Sequence, residues 1–302
     1  MRVTQGGRMG LRVNPTYRQR RFGAEVRRLR ERAGLSSTEA ASLLGMKQPQ
    51  LSNVEVGKTG LFAERVQRLA EASGVSASPF IEALIELGQD SGKGWWSEYR
   101  KLLGAPHLDL AELETSAVRL GNYEPMFIPG LLQTQEYAAV LHRDGYAKAS
   151  EEEQSAAVEF RMRRQKLLTG ERAPHLHAII HEAALSLSLG DRAVMRGQLL
   201  RLIEMSRLPN VTIQILPFDG RVGFGTGFVV IEPRVSELAT AVVSHIEQSL
   251  YLEESDSIAK YNGWFAKLGE DALPPVDAAA LPEARVTKDS IGLIERILYP
   301  LL

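Results

Sequence analysis

Four glycines, Gly34, Gly45, Gly57 and Gly74, cut the stretch from Phe22 to Leu87 into pieces that suit only short helices. Each follows an amphipathic run, where a helix closes on a left-handed residue that glycine adopts without a Cβ penalty. Phe22, Val26, Leu29 and Ala33 make the first apolar stripe, with Arg27, Arg28 and Arg32 largely off it. Ser36 or Ser37 begins a second helix, with Glu39 placed to help cap it and Ala40, Ala41, Leu43 and Leu44 facing inward. A third runs from about Gln48 to Glu55, with Pro49 in its first turn, where the missing N–H costs little, and Leu51 and Val54 inward. Two more carry Phe62, Val66 and Leu69, then Phe80, Ile81, Leu84 and Ile85 behind Pro79. The expectation is an all-α domain of five short helices over residues 21–88.

Charge is spread unevenly. The net charge is −1, yet residues 1–60 hold twelve Lys and Arg against four Asp and Glu. A basic module on an otherwise acidic chain suits a polyanion partner, and solvated charge on helix surfaces accounts for it about as well. Residues 1–20 have no sustained period and read as a flexible basic arm. The absence of cysteine excludes disulfides, iron–sulfur clusters, cysteine zinc fingers and thiol nucleophiles. No run of eighteen apolar residues exists, and the first residues lack the apolar core of a signal peptide. A cytoplasmic protein with no membrane partner is expected.

The second and third helices are joined by Leu44-Gly45-Met46-Lys47, the short glycine-bearing turn of a helix-turn-helix unit. In such a unit one helix braces against phosphates while the next enters the major groove. The outward set on the third helix is Gln48, Pro49, Gln50, Ser52 and Asn53, rich in amides that can bond bidentately to adenine. Lys47 and Lys58 flank it as candidate phosphate contacts. Ser37, at a helix start, can join its hydroxyl and backbone N–H groups on a phosphate oxygen.

At these residues the sequence resembles the XRE (Cro/C1-type phage-repressor) family, on R-x3-G-L-S at Arg30–Ser36, L-G at Leu44-Gly45 and L-S-x-x-E-x-G at Leu51–Gly57. The resemblance implies a five-helix lambda-repressor-like fold, double-stranded DNA as partner, and a structural ion pair between Arg30 and Glu55. It places base contacts at Gln48, Pro49 and Asn53. Ser37 stands where a phosphate-binding Gln is common, and Pro49 brings no donor.

Residues 89–94 read as a polar hinge, and residues 95–271 as a larger mixed α/β domain. Helices are expected at Gln133–His142, Glu151–Leu168, Arg192–Arg207 and Ser255–Leu268. Strands are expected at Leu176–His181, Val211–Leu216, Gly227–Ile231 and Thr240–Glu247. Residues 272–302, with paired prolines and several alanines, read as a linker-like tail ending in a short helix. The order of GWWSEYRKLLG, YEPMFIPGLLQTQEYA, RMRRQKLL, EAAL, LPNVTIQILPF and GFVVIE resembles a group of actinobacterial XRE regulators, some described as antitoxin-like and encoded beside a small partner protein.

Enzyme readings of this domain are thin. His175, His177 and His181 alternate along one strand face, as metal ligands can, with His245 or Glu247 to complete a site, but surface imidazoles are the commoner case. Gly220, Gly223, Gly225 and Gly227 precede a strand and do not open a helix, so no dinucleotide cradle is formed. No G-x-S-x-G or H-E-x-x-H occurs. Trp95, Trp96 and Tyr99 suit core or seam packing, and Arg161, Arg163, Arg164 and Lys166 a solvated helix face or a second DNA-facing surface. The sequence is therefore read as a DNA-binding transcriptional regulator without catalytic residues, metal or cofactor. A homodimer is expected, with a small-molecule ligand or a nearby-encoded partner protein acting through the second domain. The alternative is an antitoxin-like protein binder whose DNA binding mainly autoregulates its operon.

Overall fold

Thr16 starts the first helix, accepting from Gln19 N while Gln19 Oε1 accepts from Thr16 N. In the computed structural model, which describes residues 11–75, 78–89, 93–145, 149–219, 225–244, 249–279 and 288–302, the chain divides into units Met1–Ser97 and Glu98–Leu302. The first unit is helical: α1 (Tyr17–Arg32), α2 (Ser37–Leu43), α3 (Gln48–Glu55), α4 (Ala63–Ala72) and α5 (Pro79–Gln89). Gly34, Gly45, Gly57 and Gly74 have φ of 69, 60, 79 and 72°. At each, the glycine N–H and the following N–H return to two carbonyls of the helix just ended, as Gly45 to Ser42 and Met46 to Ala41. The core comprises Phe22, Val26, Leu29, Leu44, Leu51, Val54, Val66, Leu69, Ile81 and Leu84 among others.

Two local expectations change, and the choice between Ser36 and Ser37 is settled. The arm ends earlier, because Tyr17–Arg20 belong to α1, and Arg12 is held by its N–H on Lys58 O at 2.8 Å and its guanidinium on Gly57 O at 3.3 Å. Ser36, not Ser37, caps α2. Leu43 and Phe62 are exposed, and Leu61 fills the core in place of Phe62. Gln89 closes α5, residues 90–92 of the expected hinge lie outside the described residues, and the division between units falls after Ser97.

The second unit is a mixed α/β fold. Its helices are α6 (Ala105–Thr115), α7 (Gln135–Gly145), α8 (Glu151–Gln165), α9 (Glu182–Ser186), α10 (Arg192–Met205), α11 (Ser255–Asp271) and α12 (Ser290–Leu298). Its strands are β1 (Ala117–Glu124), β2 (His175–His181), β3 (Val211–Leu216), β4 (Phe228–Pro233), β5 (Thr240–Val243) and β6 (Leu250–Leu252). They form one sheet in the order β3-β2-β1-β4-β5-β6. β1 pairs parallel with β2, and β2 with β3; β1 pairs antiparallel with β4, and the hairpin-like run continues through β5 and β6. Leu120, Leu176, Ile180, Ile213 and Ile215 pack with Leu199 and Leu202 of α10 and Ile294 of α12. Tyr123, Ile179, Phe228 and Val230 pack with Leu268, Tyr261 and Phe265 of α11.

The linker reading of residues 272–302 is overturned for its described part. Leu273 N and Val276 N donate to Ile215 O and Ile213 O along the outer edge of β3, and Ile215 N donates to Ser290 Oγ. Val276, Ile291, Leu293, Ile294 and Leu298 are buried. Proline- and alanine-rich composition describes a linker only when the backbone has nowhere to bond; here it seals an open sheet edge.

Candidate nucleic-acid interface

α3 is seated by three close contacts with α1. A Cβ on Gly23 would lie 2.5 Å from Val54 O, and one on Gly57 would lie 2.7 Å from Gln19 O, so the two backbones meet where only glycine fits. Arg30 and Glu55 then pair bidentately, Nε to Oε1 at 2.6 Å and Nη2 to Oε2 at 3.3 Å, while Arg30 Nη1 donates to Leu35 O at 3.0 Å. The pair is largely enclosed, and it turns the single carboxylate of α3 inward and neutralises it. Leu51 and Val54 are fully buried.

The opposite side of α3 carries no acid. Lys47, Gln48, Pro49, Gln50 and Ser52 are exposed, and Asn53 is half-buried. Lys58, just beyond the helix, is exposed. Gln50 is already engaged: its Oε1 accepts from Lys47 N at 2.8 Å. A bidentate adenine contact needs both the carbonyl and the NH₂ of an amide, so Gln50 caps α3 in this state and reads with at most half its amide. Ser37 is half-buried as the first residue of α2. Glu39 shares that helix start, its Oε2 accepting from Ser36 N at 2.9 Å, and the Ser36 hydrogen bonds hold its carboxyl below the usual range. A phosphate reaching Ser37 meets that charge.

Three arginines beyond the expected set frame the turn and the two ends of α3. Arg65 and Arg68 of α4 donate to Gly45 O in the turn and to Leu43 O at the end of α2, both at 3.2 Å. Arg12 is anchored at Gly57 and Lys58, past the other end of α3. Arg65 and Arg68 stand one turn apart on their own helix, and nothing in the chain order ties that turn to α2. Only the packing does.

In the second unit the alternating histidines serve structure. His177 Nε2 bonds Gln214 Oε1 at 2.7 Å and meets Phe265 edge-on; His181 Nδ1 accepts from Ala183 N at 3.1 Å, capping α9; His175 is exposed. His245 and Glu247, with Gly220 and Gly223, lie outside the described residues. Among the described residues, no group of three potential metal ligands forms. The arginine stretch on α8 is not a solvated face. Arg164 is buried against Glu114, Nε to Oε2 at 3.1 Å; Arg161 Nη1 donates to Gln133 Oε1 at 2.5 Å; Arg163 takes Glu98. Tyr99 packs edge-on to Phe160 and donates to Glu159 Oε1 at 2.8 Å. Three amides pin the 128–134 loop: Gln133 Nε2 on Ile128 O, Gln165 Nε2 on Gly130 O and Gln133 O, and Gln198 on Leu132 O and Thr134 N.

A family model described as a helix-turn-helix domain matches residues 21–80. A second, described as a domain of unknown function (DUF5753), matches residues 108–282, more than half of the chain. No curated protein and no solved structure matches. Among the described residues, no helix is long and apolar enough to cross a membrane.

Proposed function

The chain belongs to the family of the domain of unknown function DUF5753, with a helix-turn-helix domain ahead of it, and on that footing we propose a sequence-specific transcriptional regulator whose α3 reads an operator in the major groove. One observation carries the reading. α3 is locked to α1 with its carboxylate neutralised, so that Gln48, Ser52 and Asn53 stand between basic groups at both ends: Lys47 and Arg65 at one, Arg12 and Lys58 at the other. Amides at Gln48 and Asn53 match the acceptor–donor pair of adenine, and the flanking cations match phosphates.

A single recognition helix touches too few base pairs for high specificity, so two copies on a two-fold site complete the reading. The second unit supplies the pairing of copies and the response to a small molecule or a partner protein, and it catalyses no reaction. The pinned 128–134 loop, with Met126 and Phe127 exposed just before it, favours a surface of fixed shape for that purpose. Any such effector must bind the DNA-competent and DNA-incompetent states with different affinity.

The test is a gel shift on the DNA upstream of the chain's own gene, at physiological salt with excess nonspecific DNA. The full-length protein should give a specific shift, and Gln48→Ala with Asn53→Ala should abolish it, with Asn53→Ala alone weakening binding by about 1–3 kcal/mol. A folded double variant that binds as tightly as the parent would remove α3 as the reader.

A further inference from the structure

Two histidines of the second unit end at one hollow. His107 lies in the first turn of α6 and His142 in the last turn of α7, and both line a cavity of about 280 Å³ walled also by Leu102, Leu103, Ala157 and Glu153. That size lies just below the roughly 300 Å³ at which small-molecule sites begin. The wall has three electrostatic components. α6 starts at Gly104, itself in the wall, with no side-chain cap, so the positive end of its dipole is left there. Arg161 and Arg164, four and seven residues past Ala157 on α8, stand behind the wall, with Glu114 at 3.1 Å offsetting part of the Arg164 charge; burial first, and then these guanidiniums and, for His142, His107 as well, hold both imidazoles down at about 4. Among the described residues Glu153 is the one carboxylate in the wall, and Ser150 N and Oγ already bond it at 2.8 and 3.0 Å.

Apolar walls with two neutral imidazoles under a positive potential are badly matched to water and to cations. They are well matched to an anion with a hydrocarbon body. We propose that this cavity binds a small organic monocarboxylate, its body against Leu102 and Leu103 and its carboxylate between His107 and His142. A phosphate or sulfate is a poorer fit, because its whole surface is hydrophilic and half of this wall is not. The bound anion offsets the guanidinium field and favours imidazolium, so binding takes up a proton. Affinity then rises as pH falls, by about tenfold per unit between the bound and free histidine values.

The experiment uses the full-length protein without DNA, with benzoate and hexanoate as probes and benzyl alcohol and hexanol as their neutral matches. Ring resonances of His107 and His142 are followed by NMR from pH 7.5 to 5.5. A saturable shift of both rings by at least one acid is expected. That acid should bind more tightly at pH 6 than at pH 7, and its alcohol at least tenfold more weakly at pH 6 and without pH dependence. His107→Gln should remove the response, as should Ala157→Leu, which takes up part of the cavity volume. Rings unmoved by both acids, or acid and alcohol bound equally and without pH dependence in the parent protein, would overturn the site. Because no DNA is present, that failure leaves the operator reading intact, and a failed gel shift leaves this site intact.

Discussion

Each unit has an enclosed arginine–glutamate pair that joins two helices, apart from the Arg21–Glu25 pair within α1, and the two joining pairs lie at different depths. Arg30 and Glu55 join α1 to α3 with side chains each 12% exposed, and every polar edge of the guanidinium that faces the pair finds an acceptor. Arg164 and Glu114 join α8 to α6 in a drier place, at 9% and 5%, where burial raises the Glu114 carboxyl above the usual range while Arg164 and Arg161 pull it back. The first is a brace near water that positions a helix. The second is a buried charge whose existence depends on its partner. The histidines follow the same division: all six lie in the second unit. The groups pushed furthest from their ordinary values by burial, His107, His142 and Glu124, all belong to the second unit.

The sharpest break in that contrast would come from Arg164→Met. Leaving Glu114 buried without its partner should cost the second unit about 3–5 kcal/mol near pH 8. The loss should shrink as pH falls, because a carboxyl with a raised folded pKa regains stability by taking a proton. Arg30→Met should cost the first unit about 1–3 kcal/mol. Urea unfolding at pH 8 and pH 5 measures both, and equal, pH-independent losses would erase the distinction.

Acid alone is the next probe. His107 and His142 sit at about 4 against an ordinary 6.5, so unfolding takes up protons and stability is lost as pH drops from 6.5 to 4. Glu124, pushed up to about 7 by enclosure of its carboxyl, acts in the opposite sense over 7 to 4.5. His177 and His181, also held low by burial, add to the histidine loss, and the raised Glu114 carboxyl joins Glu124 in opposing it. NMR signals of the second unit, followed through urea titrations at pH 7 and 4.5, should show it weakening in acid.

Smaller effects separate two glycines of the first unit. Gly45→Ala meets open space and bears only the left-handed backbone cost of about 1–2 kcal/mol. Gly57→Ala adds a collision with Gln19 O and should cost clearly more and weaken operator binding, because it displaces α3. Melting curves showing equal losses would mean the α1–α3 approach is softer than its geometry. The smallest effect belongs to residues 1–10: removing Arg2 and Arg8, while keeping Arg12, should flatten the log–log salt slope of DNA binding by at most about 2.

What could be read from the residues follows one physical line. Gly34, Gly45, Gly57 and Gly74 were legible because a left-handed residue at a helix end nearly demands glycine. Val211–Leu216 was legible because β-branched Val211, Thr212, Ile213 and Ile215 suit a strand. β1, the strand that joins the parallel and antiparallel halves of the sheet, was not. AVRLGNYE alternates charge and glycine, since Gly121 makes room for Phe265 and Asn122 donates to Phe228 O. The 273–276 segment was equally hidden, because backbone bonds to β3 leave no side-chain pattern. Within the candidate site, the outward face of α3 was readable from its period, whereas Gln50 as a cap and Arg65 as a clamp depend on geometry that spacing does not encode.

The burial of α12 in the second core has a consequence in time. The first unit is complete in sequence by Ser97, whereas the second cannot fill its core until Leu298 has been made. At about 5–20 residues per second, the roughly 200 residues between them take about 10–40 s to synthesise. For that interval a nascent chain can hold a folded helix-turn-helix domain beside an α/β partner still missing the helix that closes it.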